Sequence, residues 1–107
     1  MASQCRTMGD DMAKGYWIAM VDIADMAGYQ KYIAANKAVF EKFGGRFLVR
    51  NGEKTVVEGN PRSRVVVIEF DSYQRALECY RSPDYQALIA LRAPCSEADL
   101  VVIEGYE

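Results

Sequence analysis

The residues of this chain best suited to chemistry are carboxylates set inside apolar strands. Arg64–Phe70 reads RVVVIEF and carries one acid, Glu69, after four consecutive β-branched residues. Such a run specifies a strand, and a charge buried in it needs a partner, hydrogen bonds or a wet cavity. Tyr16–Ile23, YWIAMVDI, repeats the device with Asp22, and Leu100–Gly105, LVVIEG, repeats it with Glu104. If the strands bearing Asp22 and Glu69 are parallel neighbours ending at similar heights, two carboxylates meet at an apolar wall. Each then raises the other's pKa, and one becomes a general acid or base. The nearby arginines, Arg50 and Arg64, would instead hold the acids ionised, so an ion pair that fixes a dimer is the competing reading. Asp22 and Glu69 are therefore the catalytic candidates, and Arg50, Arg64, Asn36 and Tyr29 the substrate-binding candidates. Glu104 is expected in an edge strand at the opposite end from Asp22, as an interface or solvent residue.

Other polar groups carry weaker signals. Tyr29, Tyr32, Asn36, Tyr80 and Tyr85 sit on or beside apolar helix faces, where a tyrosine ordinarily contributes buried area and bonds to a nearby partner. Asn36 is the odd member, an amide within an aromatic stripe that must find hydrogen bonds. Cys79 has no adjacent base and reads as an inert buried thiol. Gly44-Gly45 and Asn51-Gly52 lack the context of a phosphate loop and read as turns. The chain has no histidine. That removes Ser-His-Asp and Cys-His nucleophiles, imidazole-held haem and the commoner zinc sites. Neither a metal nor a cofactor is expected, and haem would need Tyr, Cys or Met ligation that no spacing suggests.

The elements that must position these residues follow in clear order. A first strand runs from about Gly15 to Asp22, with Trp17, Ala19 and Val21 on one face and Tyr16, Ile18, Met20 and Asp22 on the other. Asp25 caps a helix that extends to about Phe43, its stripe formed by Met26, Tyr29, Ile33, Asn36, Phe40 and Phe43. Arg46–Arg50 is a second strand. After the Asn51-Gly52 turn, Glu53–Gly59 resumes extended structure, as a hairpin or as one long bent strand. RVVVIEF comes next, its alternation grouping Glu69 with Val65 and Val67, and Arg64 with Val66, Ile68 and Phe70. Ser72 caps a short helix ending near Arg81. Ser82-Pro83-Asp84 starts another, to about Arg92, since a capping serine, a proline at the first helical position and an acid in the first turn all favour it. Ala98–Gly105 is the last strand. The order is βαββαβ, a ferredoxin-like α+β arrangement with an antiparallel sheet and both helical segments on one face. The two central strands, first and third, are expected to be parallel. The other face would expose Ile18, Met20, Val65, Val67 and Val102, more apolar surface than a monomer tolerates, so a homodimer enclosing a cavity between two sheets is expected.

With 107 residues the chain is one domain. Residues 1–13 show no strand or helix period and read as a flexible leader before a single domain at 14–107, with Met12 a candidate for the native start. Lys and Arg are scattered and the net charge is −2, so no basic stripe points to nucleic acid. No apolar run approaches the roughly 20 residues that span a bilayer. Three cysteines without CxxC or metal spacing suit a reducing compartment, and a cytoplasmic location is expected.

Taken together, GYWIAMVDI, RSRVVVIEF, CYRSPDYQALIALR and VVIEGYE resemble domain-of-unknown-function family 1330 across about Met12 to Glu107. The resemblance implies a small bacterial protein with a dimeric α/β-barrel of the ferredoxin-like type. The wider superfamily of such barrels includes cofactor-independent monooxygenases, lactone isomerases and haem-binding enzymes, but the family brings no reaction of its own. Three functions are expected to compete. One is a cofactor-independent enzyme acting on a small apolar molecule in the barrel cavity. The second is a non-catalytic binding module for a hydrophobic metabolite, and the third a purely structural dimer.

Overall fold

The computed structural model describes residues 13–106. The expected leader lies outside the described residues except for Ala13, which is buried. The elements are β1 (Gly15–Ile23), α1 (Met26–Lys42), β2 (Arg46–Arg50), β3 (Arg64–Phe70), α2 (Tyr73–Arg81), α3 (Pro83–Arg92) and β4 (Ser96–Glu104). A 3₁₀ turn, Ala93–Cys95, joins α3 to β4.

Local chemistry sets the boundaries. Asp25 accepts from the Gly28 amide at 3.3 Å and starts α1, and Gly44, at φ 81°, ends it in a conformation that suits glycine. Ser72 Oγ accepts from the Arg75 amide at 3.1 Å and starts α2. Ser82 does two jobs: its hydroxyl donates to the Cys79 carbonyl at 2.7 Å and accepts from the Tyr85 amide at 3.1 Å. One side chain thus closes α2 and opens α3. Lys42, in the last turn of α1, pairs with Asp84 in the first turn of α3 at 2.6 Å. Each charge there faces the helix end that favours it.

The sheet has the order β2-β3-β1-β4, and every neighbouring pair is antiparallel. This is the ferredoxin-like α+β fold, but β1 and β3 are not parallel as expected. A helical crossover returns the chain so that β2 runs with β1, and the 51–63 connection then reverses it. β3 must therefore oppose both. The register places Tyr16 opposite Glu69 and Val21 opposite Arg64. Leu48 is an inserted residue in β2, since Phe47 faces Ile68 and Val49 faces Val67. The segment Glu53–Gly59 forms neither a hairpin strand nor an extension of β2, and Val56 and Val57 are left exposed.

The three α-helices of the described residues cover one face of the sheet, and Trp17 lies at the centre of what they bury. Its ring meets Phe40 and Tyr85 edge-on at 5.0 and 4.9 Å. Its indole N–H donates to the Ala76 carbonyl at 2.9 Å, so the one polar atom of a fully buried side chain is satisfied. Nearby, α2 crosses β1 so closely that a Cβ at Gly15 would sit 2.3 Å from the Ser72 carbonyl oxygen. Only glycine fits there. The opposite face carries Ile18, Leu48, Val101 and Ile103, all exposed, between half-buried Met20, Val65 and Val67. Val102, expected on this face, packs instead against the core; β4 alternates one residue out of that reading, presenting Val101 and Ile103 outward.

Candidate functional site

A recess lies between the inner face of the sheet and the helices. Its floor is strand: Trp17, Ala19 and Val21 of β1, Val66 and Ile68 of β3, Ala98 and Leu100 of β4. α1 contributes Tyr29, Tyr32, Asn36 and Phe40, which fall on one stripe at helical spacing. α3 contributes Tyr85 and Arg92, seven residues apart and so on one face. Arg50 at the end of β2 and Arg64 at the start of β3 complete the rim. Room for water-sized groups amounts to about 30 Å³, and the empty space to about 460 Å³ once the open mouth is counted.

The polar groups of the recess are arranged around its aromatic walls. The hydroxyls of Tyr32 and Tyr85 are 2.8 Å apart, and Arg92 Nε donates to the Tyr85 oxygen at 3.1 Å. The Arg92 guanidinium stands 5.8 Å from the Tyr32 ring centre and 5.9 Å from that of Tyr85. Arg64 stands 5.8 Å from the Tyr29 ring, and Arg50 lies 4.3 Å over Phe47. These are cation–π distances. Two polar side-chain atoms are buried without a hydrogen-bond partner among the described residues, Asn36 Oδ1 and Arg64 Nε, and both belong to residues that line the recess. Burial pushes the Tyr29 and Tyr32 phenols above their ordinary pKa, so both stay protonated.

The four substrate-binding candidates, Arg50, Arg64, Asn36 and Tyr29, all line this one recess. The two catalytic candidates are placed elsewhere. Asp22 and Glu69 project to the other face of the sheet, and Glu69 opposes Tyr16, six residues from Asp22 along β1. At about 3.3 Å per residue that separates them by about 20 Å. The antiparallel register therefore removes the adjacency on which their mutual activation depended. Each has found cationic partners instead. Glu69 accepts from Arg46 Nε at 2.7 Å and from the Tyr16 hydroxyl at 3.0 Å. Asp22 accepts from the Ser63 amide and from Arg62, both at 3.0 Å, and Arg62 also reaches Glu97 and Asp99. The Ser63 amide, and then Arg62, hold the Asp22 carboxyl below its usual pKa, the reverse of what a general acid at neutral pH requires.

Sequence reasoning missed Arg62 and Arg92. For Arg92 the available signal is the seven-residue spacing from Tyr85, which puts both on the inward face of α3. For Arg62 there is none, because its three acids come from β1 and β4, far away in sequence. Cys79 lies in the core, and burial pushes its thiol up to about 12. Among the described residues, no cluster of His, Cys, Asp or Glu could hold a metal ion, and no helix is long and apolar enough to cross a membrane.

Several solved structures share this fold. RPA0582, a protein of unknown function from Rhodopseudomonas palustris, superposes with a TM-score of 0.70 at 15% identity, covering 95% of this chain and 93% of its own. SnoaB, a cofactor-independent oxygenase from Streptomyces nogalater, gives 0.65 at 10% identity over 89% of this chain and 95% of its own. A dimeric ferredoxin-like protein of unknown function from Thermobifida fusca gives 0.52 at 17% identity, over 89% and 92%. At such identities these likenesses concern the fold alone. No curated protein sequence matches the chain. The sequence itself, over residues 14–106, matches the family described as Domain of unknown function (DUF1330), and the chain belongs to that family.

Proposed function

We propose that each protomer binds a small molecule of largely apolar surface in the recess between sheet and helices, and that two protomers pair through their open sheet faces. The observation that carries the binding reading is the pair of unpartnered buried atoms, the donor Arg64 Nε and the acceptor Asn36 Oδ1, set among aromatic walls. Buried polar groups are normally satisfied, and a ligand that supplies both partners removes the penalty. Pairing is supported by the row Ile18, Leu48, Val101 and Ile103 on the uncovered face, and by the dimeric state of the Thermobifida fusca relative in fold.

Binding is better supported than protein-driven proton abstraction. No carboxylate lines the recess among the described residues, and Tyr29 and Tyr32 are held protonated. A reaction without a cofactor, of the kind SnoaB names, would have to begin from a substrate that ionises readily by itself. Asp22 and Glu69 belong in this reading to ion pairs near the two ends of the dimer face.

A thermal-shift screen of small aromatic and aliphatic metabolites tests it, with mass spectrometry of the recovered ligand. A compound that raises Tm and returns unchanged supports binding, since a ligand of the native state stabilises by mass action. Consumption of the compound would favour an enzyme. A broad set with no stabilising member would count against both.

A further inference from the structure

Half of the described cations are matched to acids. Arg46 pairs with Glu69, Arg62 with Asp22, Glu97 and Asp99, Arg75 with Glu78, and Lys42 with Asp84. The recess departs from this. Arg50, Arg64 and Arg92 come to it from β2, β3 and α3, and no acid lines it among the described residues. The concentration of charge is not a matter of composition, since the chain carries 15 acids against 13 bases. Arg92 spends one N–H on Tyr85, and Arg64 keeps a buried Nε without a partner. Arg64 and Arg92 are half-buried there, and an anion relieves the cost of taking their charge out of water.

We infer that the recess takes a flat organic carboxylate bearing a hydroxyl or N–H group, its anionic head among Arg50, Arg64 and Arg92. This rests on the reading of the recess as a ligand site. A guanidinium presents paired donors that match the two oxygens of a carboxylate. About 30 Å³ of closed room suits the ligand's hydroxyl or N–H beside the buried Asn36, since a water needs roughly 10–15 Å³ by the same measure, while the ring and the carboxylate lie in the wider mouth whose rim Arg50 and Arg64 form. Phe47 and Tyr29, which line the recess, supply apolar contact for that ring. Asn36 Oδ1 lacks a donor, and this asks for the hydroxyl or N–H on the ligand. A bare phosphate fits less well, because it leaves both the rings and the Asn36 acceptor unused.

Isothermal titration with two isosteres tests the inference: 4-hydroxybenzoate, and 4-hydroxybenzamide, which has the same shape without the charge. Inorganic phosphate is the third probe. The carboxylate is expected to bind at least tenfold more tightly than the amide, and more tightly than phosphate. Arg64→Gln should erase the preference for the carboxylate, Arg64→Lys should keep part of it, and Arg75→Gln, on the outside of α2, should leave it unchanged. Circular dichroism of each variant confirms folding, and the lysine variant carries the test if the glutamine variant is unfolded. Equal binding of the two isosteres, tighter binding of phosphate, or an unchanged preference in a folded Arg64 variant would overturn the inference. If neither isostere binds while neutral compounds in the thermal screen do, the anion falls and the recess stands. If nothing binds in either experiment, both fall.

Discussion

The hydroxyls of Tyr32 and Tyr85 meet 2.8 Å apart inside the core, tying α1 to α3 across 53 positions of sequence. The Tyr85 oxygen also accepts from Arg92, so it is shared by two partners whereas the Tyr32 oxygen has one. The two tyrosines should therefore respond unequally to loss of the hydroxyl. Tyr32→Phe leaves Tyr85 bonded to Arg92 and should cost about 1 kcal/mol. Tyr85→Phe strands both the Tyr32 hydroxyl and an Arg92 N–H, and should cost about 2–3 kcal/mol. Urea unfolding of the two variants checks the order, which matters more than either value.

Asp22 and Glu69 should behave as independent sites. Groups about 20 Å apart with no common partner add within roughly 0.5 kcal/mol. A double-mutant cycle with Asp22→Asn and Glu69→Gln is expected to give a coupling inside that margin. A larger value would mean that the two carboxylates communicate after all.

Acid should weaken the protein partly through Asp22. Its pKa is depressed in the folded state, so its contribution is present above the unfolded-state value of about 3.9 and disappears as the pH falls through the lower folded-state value. Thermal melts of the parent should lose stability below about pH 4. Asp22→Asn should be less stable at pH 6 and show a shallower decline towards pH 3. Parallel curves for parent and variant would show that the Asp22 charge contributes nothing to the acid dependence.

Cys79 should be chemically silent in the native state. Its thiol is buried and held near 12, which leaves almost no thiolate at pH 8. In a Cys5→Ser, Cys95→Ala variant, which keeps Cys79 alone, native protein should react with a disulfide reagent far more slowly than protein in concentrated urea. Rapid native reaction would mean that the helical layer opens easily over Trp17.

The open face should be sensitive to charge. Val101→Lys places an ammonium in the middle of the exposed row and should abolish the proposed pairing of two protomers, read by light scattering after gel filtration. A variant that remains a dimer would move the contact elsewhere.

How much of this was legible in the sequence depends on how far apart the deciding residues lie. Asp25, Ser72 and the Ser82-Pro83-Asp84 corner were readable because a cap is a bond between residues three apart, and the structure places each where its signal stands. The βαββαβ order followed from these boundaries. Strand direction did not, because it depends on counting reversals through the 51–63 segment, where EKTVVEG imitates a strand but finds no partner edge. That single reversal separated Asp22 from Glu69. The sequence marks Arg50, Arg64, Asn36 and Tyr29, the arginines as neighbours for acids. The geometry gathers all four with Arg92 instead, a convergence of five residues from four elements that no local pattern encodes.

The serine that closes α2 and opens α3 leaves the chain no free joint between the two helices. One oxygen atom pins this corner for both helices, with the Gln86 side-chain amide on the Tyr80 carbonyl beside it. Tyr85 and Arg92 ride on the far arm, so the wall of the recess is aimed from outside it. Removing that oxygen would loosen the corner from which this wall is aimed without touching a residue that lines the recess.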